Sequence, residues 1–531
     1  MKMKKILLIH PKSPETFWQL TGVLDIVKRK AVNPPLGLAT VAAITPKGYD
    51  IKIIDEEIEE IDFDTDCDIV GVTGYTIHSK RMFEVAAEFR KRGKVTIAGG
   101  PYCTGHPHEC RDHFDVLICG EAEYVWPKFL ADYDSGNYSH EYIELDKIHM
   151  PDSPIPRWDL VALEHYSGTT IQTSRGCPYD CEFCDVVSLF GQKMRYKGYD
   201  QIIEEIKYAT SLGRFDIFLA DDNFIGNKKF VRELLRRIIE LNKSLKKPNR
   251  YFTQVTLNVA QDEELLDMFQ EANFYCFFIG IETPKEESLV HTNKAHNAKL
   301  DMKASIRRIQ SRGIFIVAGM IVGFDTDDLD IFQLQKDFLA EAGLAIPMLG
   351  MLVATKGTKL WNRMEKEGRL FPELEEGDAF NLTNITPKLM AKSDLEKNYA
   401  QLLSDIYSID HFKTRFESLL EQVDIEKVKR NSPLSRLMEI SNFRFFTLGS
   451  TIRTIKHYLF HRNKNMRKLF THLFKLVWKK GMVTFPWLIE LLVYFKAEYE
   501  FVEQHDLGYQ VQKHDSAGDN KIKKQESVGT L

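Results

Sequence analysis

The chain has 531 residues, 44% of them hydrophobic and 28% charged, with a formal net charge of -5. That is ordinary for a soluble protein with core enough for two to four domains, and the charge alone implies neither a nucleic-acid nor a membrane partner. The eight cysteines do not read as a disulfide framework, because three of them share one short motif.

Residues 5–10 form an apolar run read as a first β-strand, too short for a signal peptide and ended by His10-Pro11-Lys12. A long loop follows, then a helix opened by Pro34 and Pro35. Strands are expected at 49–55, 67–73, 94–100 (ending on the double glycine) and 116–123, with helices at 80–92 and 124–132. This alternation predicts a doubly wound parallel sheet over residues 1–146. Gly99, Gly100 and Gly120 fall at the C-terminal ends of its strands, where such sheets bind ligands, though turns alone also use glycine there. Cys67, Cys103, Cys110, Cys119 and Cys276 are scattered and read as small buried side chains.

Residues 147–168 carry Pro151, Pro154 and Pro156 and read as a linker. Next comes Gln172-Thr-Ser-Arg-Gly-Cys177-Pro-Tyr-Asp-Cys181-Glu-Phe-Cys184. Iron–sulfur clusters are held by closely spaced thiolates, usually four. Three in one loop leave one iron of a 4Fe–4S cluster open, and an open site marks chemistry at the metal. A structural zinc would need a fourth ligand, and no second cysteine pair exists.

Six strands are expected after this point, at 168–173, 215–220, 251–258, 275–281, 314–322 and 347–354, with amphipathic helices between them. A βα repeat of six over 169–360 predicts a partial (β/α)6 barrel with its site at the C-terminal strand ends. The cluster loop, Asp221-Asp222-Asn223, Gly280-Ile281-Glu282 and Gly319-Met-Ile321-Val-Gly323 all fall there.

The C-x3-C-x2-C spacing, with an aromatic residue before the last cysteine, resembles the radical S-adenosylmethionine (SAM) superfamily. That resemblance implies a 4Fe–4S cluster on Cys177, Cys181 and Cys184, whose open iron is chelated by SAM. An electron from the cluster would cleave SAM to methionine and a 5′-deoxyadenosyl radical. It also implies that Asp221, Asp222 and Asn223 lie where the SAM amino group is gripped. The superfamily often has Gly-Gly-Glu there, so which carboxylate acts stays open. Glu282 would contact ribose or the SAM backbone, and Gly319, Ile321 and Gly323 would pack on adenine. The competing readings are an N-cap for one aspartate and strand packing for the glycines. Arg175 and Lys294 could pair with the SAM carboxylate or with nearby acids.

Together with Gly99-Gly100-Pro101 and Gly120-Glu121-Ala122-Glu123, the N-terminal pattern resembles the cobalamin-binding domain of one branch of that superfamily, a subgroup near the hopanoid methylases. Proteins that ligate cobalt through histidine carry D-x-H-x-x-G after the first strand. Here Leu8 replaces the aspartate and Ser13 the glycine around His10. The resemblance therefore implies cobalamin without a histidine lower ligand, with Thr73, Gly74 and Tyr75 on its lower face. His10 and His78 read as ordinary hydrogen-bonded histidines.

From about 360 the βα rhythm gives way to helices up to 504, followed by a polar tail (505–531) read as disordered. Residues 441–480 hold ten basic residues and no Asp or Glu. Met466, Leu469, Phe470, Leu473, Phe474, Val477 and Trp478 share one helical face there. The segment reads either as a scaffold helix with a solvated basic face or as a contact with anionic lipid.

The function implied is methyl transfer from methylcobalamin to an unreactive carbon, on a small-molecule or lipid substrate. The alternative is a non-methylating cobalamin-type oxidase or cyclase. An electron donor such as flavodoxin or ferredoxin is expected. No standard RNA-binding module is present, so nucleic acid is not an expected partner. Free thiols and an oxygen-sensitive cluster point to the cytoplasm, with the basic segment as the feature that would hold the protein to the inner membrane face.

Overall fold

The computed structural model describes residues 3–14, 21–144, 146–371, 383–431 and 448–505. The tail beyond His505 and the first part of the basic segment, Arg444 included, lie outside these residues.

The first sheet contains β1 (Lys4–His10), β2 (Tyr49–Asp55), β3 (Ile69–Thr73), β4 (Val95–Gly99), β5 (Val116–Cys119) and β6 (Glu141–Ile143). All pair in parallel, in the order β2-β1-β3-β4-β5-β6. Its central strands are apolar on both faces because helices cover both. Met82, Val85 and Phe89 pack with Val70 and Val72 on one side; Leu38, Trp126 and Phe129 pack with Ile6 and Leu8 on the other. The chain turns back at β1, so a crevice opens beyond the C-terminal ends of β1 and β3. Strand β6 is absent from the sequence reading; at three residues it is too short to show a period.

The second sheet contains β7 (Thr169–Ile171), β10 (Asp216–Leu219), β11 (Arg250–Gln254), β12 (Phe274–Glu282), β13 (Phe315–Val322) and β14 (Ile346–Met351). These pair in parallel in the order β14-β13-β12-β11-β10-β7, an open partial barrel with the six expected strands. Between β7 and β10, an antiparallel pair of β8 (Ser174–Arg175) and β9 (Arg195–Tyr196) closes the base of the cysteine loop.

Helices Ile409–Gln422, Leu448–Leu459, Lys464–Lys480 and Phe485–His505 pack on the inner face of this barrel. Phe412, Trp487 and Leu491 meet Cys276, Phe315 and Ile346 there. Arg250 ties Phe485–His505 to the strand ends through Glu490, 3.3 Å away. Met466, Leu469, Phe470, Leu473 and Val477 are buried in this packing, so the apolar face read at 466–478 is covered by protein. Trp478 departs from that face and is exposed.

The loop expected before the first helix contains the helix Thr21–Val27. Val23 and Ile26 dock on Ile489, Val493 and Ala497 of Phe485–His505, so the N-terminal unit clasps the C-terminal helices.

Candidate active site

The cysteine loop is fixed before any cofactor is considered. Asp221, buried at the end of β10, accepts hydrogen bonds from the Thr173 and Ser174 backbone N–H groups at 2.7 and 3.1 Å. It also accepts from both hydroxyls, that of Ser174 at 2.8 Å. Every lone-pair direction of Asp221 is thereby used, and the carboxylate anchors the start of the loop. Asp222 accepts from the Gly176 N–H at 2.8 Å, and burial pushes its carboxyl up to about 7. Asn223 is buried beside Cys177, whose sulfur is the one protein group its amide approaches among the described residues. Of the three residues expected to meet SAM, Asp222 and Asn223 retain free hydrogen-bonding capacity.

Cys177, Cys181 and Cys184 are half-buried. Burial pushes Cys181 up to about 11 and Cys184 to about 12, so only a strongly cationic group would draw them out as thiolates. Among the described residues no three donors converge on a point as they would for one ion. A 4Fe–4S cluster asks for something else, one thiolate on each of three irons, and the donor set fits it. Phe183 packs beside Phe324, Ile321 and Leu352, which covers one side of the loop with apolar groups. Tyr179 stacks on His296 at 3.7 Å and accepts from the Asn258 amide, a contact no sequence pattern announced.

Glu282 ends β12 with φ 67° beside a register shift, a conformation bulky residues seldom hold. Its carboxylate pairs with buried Lys294, whose charge also lies near Cys181 and Cys184. Lys294 is therefore already committed to Glu282. Gly319 lies on the inner face of the barrel, where an added side-chain carbon would sit 3.2 Å from the Phe278 ring. Ile321 stands half-buried beside Phe183. Gly323 has φ 98° and packs on Leu395, which is sufficient structural reason for glycine.

On the N-terminal sheet, Thr73 ends β3 and Gly74-Tyr75 continue into the crevice. Gly99 ends β4, and Gly100, at φ 87°, lies so close to Thr73 that any side chain would collide with its hydroxyl. Gly120 follows β5 and donates its N–H to the Thr104 hydroxyl at 3.0 Å. Glu121 has both oxygens taken, by Arg175 at 2.7 Å, Arg195 at 2.8 Å and the Ile148 N–H at 3.1 Å. Glu123 takes the other arm of Arg175 at 2.7 Å. The acidic motif thus ties the N-terminal sheet to the cysteine loop, which also disposes of Arg175 as a free partner for SAM.

His10 pairs with buried Asp55 at 3.4 Å and packs edge-on against His78. Tyr166 donates to the same Asp55 at 2.7 Å. His78 accepts from the Tyr75 N–H, and burial lowers it to about 4, so it stays neutral. Both ring nitrogens of His78 are engaged, by the Tyr75 N–H and the Ser13 hydroxyl, whereas His10 presents only its Nδ1 to Asp55.

Tyr75 follows β3 and is 61% exposed. The two units meet where the helix Pro101–Gly105, after β4, packs against the helix Val186–Phe190, just after the third cysteine.

The model of the Radical SAM superfamily matches residues 171–336, that of the B12 binding domain residues 22–130, and that of a domain of unknown function residues 358–494. An uncharacterized methyltransferase of Synechocystis sp. is 33% identical over 442 residues, 82% of each chain. Hopanoid C-2 methylase of Rhodopseudomonas palustris is 32% identical over 377 residues, 69% of this chain and 71% of its own. The solved cobalamin-dependent SAM radical enzyme OxsB, with aqua-cobalamin and SAM bound, superposes with a TM-score of 0.58 at 14% identity. The match covers 97% of this chain and 81% of that one, and it speaks for the fold. The chain belongs to the cobalamin-dependent radical SAM methyltransferases, enzymes that join a B12-binding domain to a radical SAM barrel and work with a 4Fe–4S cluster, SAM and cobalamin.

Proposed function

We propose that this enzyme transfers a methyl group to an unreactive carbon of a polycyclic, lipid-class substrate. The observation that supports the reading is the packing of helix Pro101–Gly105 on helix Val186–Phe190, which brings the strand ends of the B12-binding domain to the segment after the cysteine loop. When bound, the cluster and SAM supply the radical chemistry and cobalamin supplies the methyl group. The residues contribute position and exclusion of water. Cys177, Cys181 and Cys184 hold the cluster. Asp222 and Asn223 receive the SAM ammonium, for which a carboxylate and an amide oxygen are suitable acceptors. Glu282, steadied by Lys294, faces the ribose, and Gly319 and Ile321 form the floor under adenine. Thr73, Gly74, Gly99, Gly100 and Gly120 would line the crevice that takes cobalamin.

The substrate class is supported by the relatives. Phe278 and Met348 pack against the C-terminal helices, while an added carbon at Gly350 would meet nothing within 4 Å. The hopanoid methylase at 32% identity acts on a molecule of the proposed class. A flavodoxin or ferredoxin would deliver the electron, and a substrate of this class brings the enzyme to a membrane surface.

Anaerobically reconstituted protein should cleave SAM to 5′-deoxyadenosine under reduction, and the triple change of Cys177, Cys181 and Cys184 to Ala should lose iron and cleavage together. With methyl-deuterated SAM and a lipid extract, the product should gain a labelled methyl. Turnover of a lipid with no methyl gained would move the reading to an oxidase or cyclase.

A further inference from the structure

We infer that the outer faces of helices Leu448–Leu459 and Lys464–Lys480 form one docking surface for an anionic lipid bilayer. The surface is not the apolar stripe that the sequence displays, because that stripe is buried. It is the opposite side. On the first helix Ile452, Lys456 and Leu459 are exposed, at spacings that put them on one face. On the second, Lys464, Lys468, Lys475 and Trp478 repeat at i, i+4, i+11 and i+14, again one face, and all are exposed. The helices contact each other and share their buried faces with Phe485–His505, so their outer faces lie side by side.

Two features separate this surface from an ordinary solvated one. The first is charge without compensation. Residues 448–480 contain no Asp or Glu. Lys456, Arg462, Lys464, Lys468, Lys475 and Lys479 enter no ion pair among the described residues, although elsewhere lysines such as Lys91, Lys207 and Lys243 pair with acids three residues away. The second is the large apolar groups set among those cations. Phe460, at the turn between the helices, is 80% exposed, and Trp478 is 68% exposed. A soluble surface has no use for a bare phenylalanine at a turn, whereas an interfacial helix carries aromatic side chains at headgroup depth with lysines around them.

The occupant follows from the chemistry. Unpaired lysines ask for a polyanion, and Ile452, Leu459 and Phe460 ask for hydrocarbon; an anionic bilayer offers both at one plane. A protein partner fits less well, since lysine is depleted from protein interfaces. Single-stranded RNA would use the cations and the aromatic rings but not the aliphatic side chains. The inference deepens the lipid-substrate reading by supplying the route to the substrate. It stands or falls separately, because methylation of a lipid in detergent would persist without docking.

The test uses the full chain and two vesicle types, phosphatidylcholine alone and phosphatidylcholine with phosphatidylglycerol. The protein should co-float with the anionic vesicles at low salt, leave them at high salt, and ignore the neutral ones. Lys468→Glu, Lys475→Glu and Lys479→Glu together should abolish flotation. Phe460→Ser with Trp478→Ser should weaken it about tenfold, the result expected if the rings insert. Both variants lie on the surface and should keep their iron content and SAM cleavage, which separates lost docking from lost folding. Absence of flotation at low salt, flotation unchanged in both variants, or single-stranded RNA bound by the protein while vesicles are not, would overturn the proposal.

Discussion

His10 shows what a single side chain can settle. It stands where histidine-ligating B12 domains place their ligand, and buried Asp55 lies 3.4 Å from its Nδ1, but the chain lacks the motif's Asp and Gly. Cob(II)alamin bound to the protein should show no nitrogen splitting from below in electron paramagnetic resonance, and His10→Ala should leave the spectrum unchanged. A splitting that vanishes in that variant would make His10 the ligand after all. Glu144 gives a pH signature. Both its oxygens are buried with no side-chain partner among the described residues, and burial, with the charge of Glu121, pushes it up to about 7 against the pull of the Glu121 backbone N–H. A carboxyl raised in the folded state favours folding below its unfolded value and loses that contribution as pH rises toward 7. Glu144→Gln should therefore melt a few degrees higher than the parent at pH 8 and alongside it at pH 4. Equal melting at pH 8 would show that Glu144 ionises without penalty. At this scale the sequence is informative only where partners are near in the chain. The three cysteines announce themselves because they share a loop. The partners of Glu121 sit 54 and 74 residues away, so the acidic motif looked like a cofactor contact until the fold brought Arg175 and Arg195 to it.

The elements follow the same logic. All six barrel strands were legible, most as apolar runs such as Phe274–Glu282 and Phe315–Val322, and Arg250–Gln254 by its alternation, with helical periods between them. The helix Thr21–Val27 was not legible, since seven residues carry less than two full turns of pattern. Its role as a clasp rests on Gly22, where an added carbon would lie 2.9 Å from the Ala497 backbone. Gly22→Ala gains helix propensity but forces the two helices apart, with a net loss expected at about 1–3 kcal/mol. Thermal melting and proteolysis between the N-terminal unit and the C-terminal helices would report it; a higher melting temperature would mean that the clasp has slack. The helix Lys464–Lys480 teaches the converse lesson. Its period showed that one face is apolar, and only the structure showed that protein covers that face, leaving Trp478 and the lysines outside.

Across the whole molecule, the proposed function needs the B12-binding domain and the barrel held against each other. Three tethers hold them in register: Arg175 and Arg195 on Glu121 and Glu123, the pairing of Lys356 with Glu109, and the clasp at Thr21–Val27. The helices Pro101–Gly105 and Val186–Phe190 then touch where the strand ends of the first sheet meet the segment after the cysteines. The most direct test is electron paramagnetic resonance of reconstituted enzyme loaded with cob(II)alamin, before and after reduction of the cluster. The account predicts one cobalt and one 4Fe–4S cluster per chain, with the cobalt signal broadened or relaxed faster once the cluster becomes paramagnetic. Protein that binds the cluster but no cobalamin, or a cobalt signal indifferent to the state of the cluster, would contradict it.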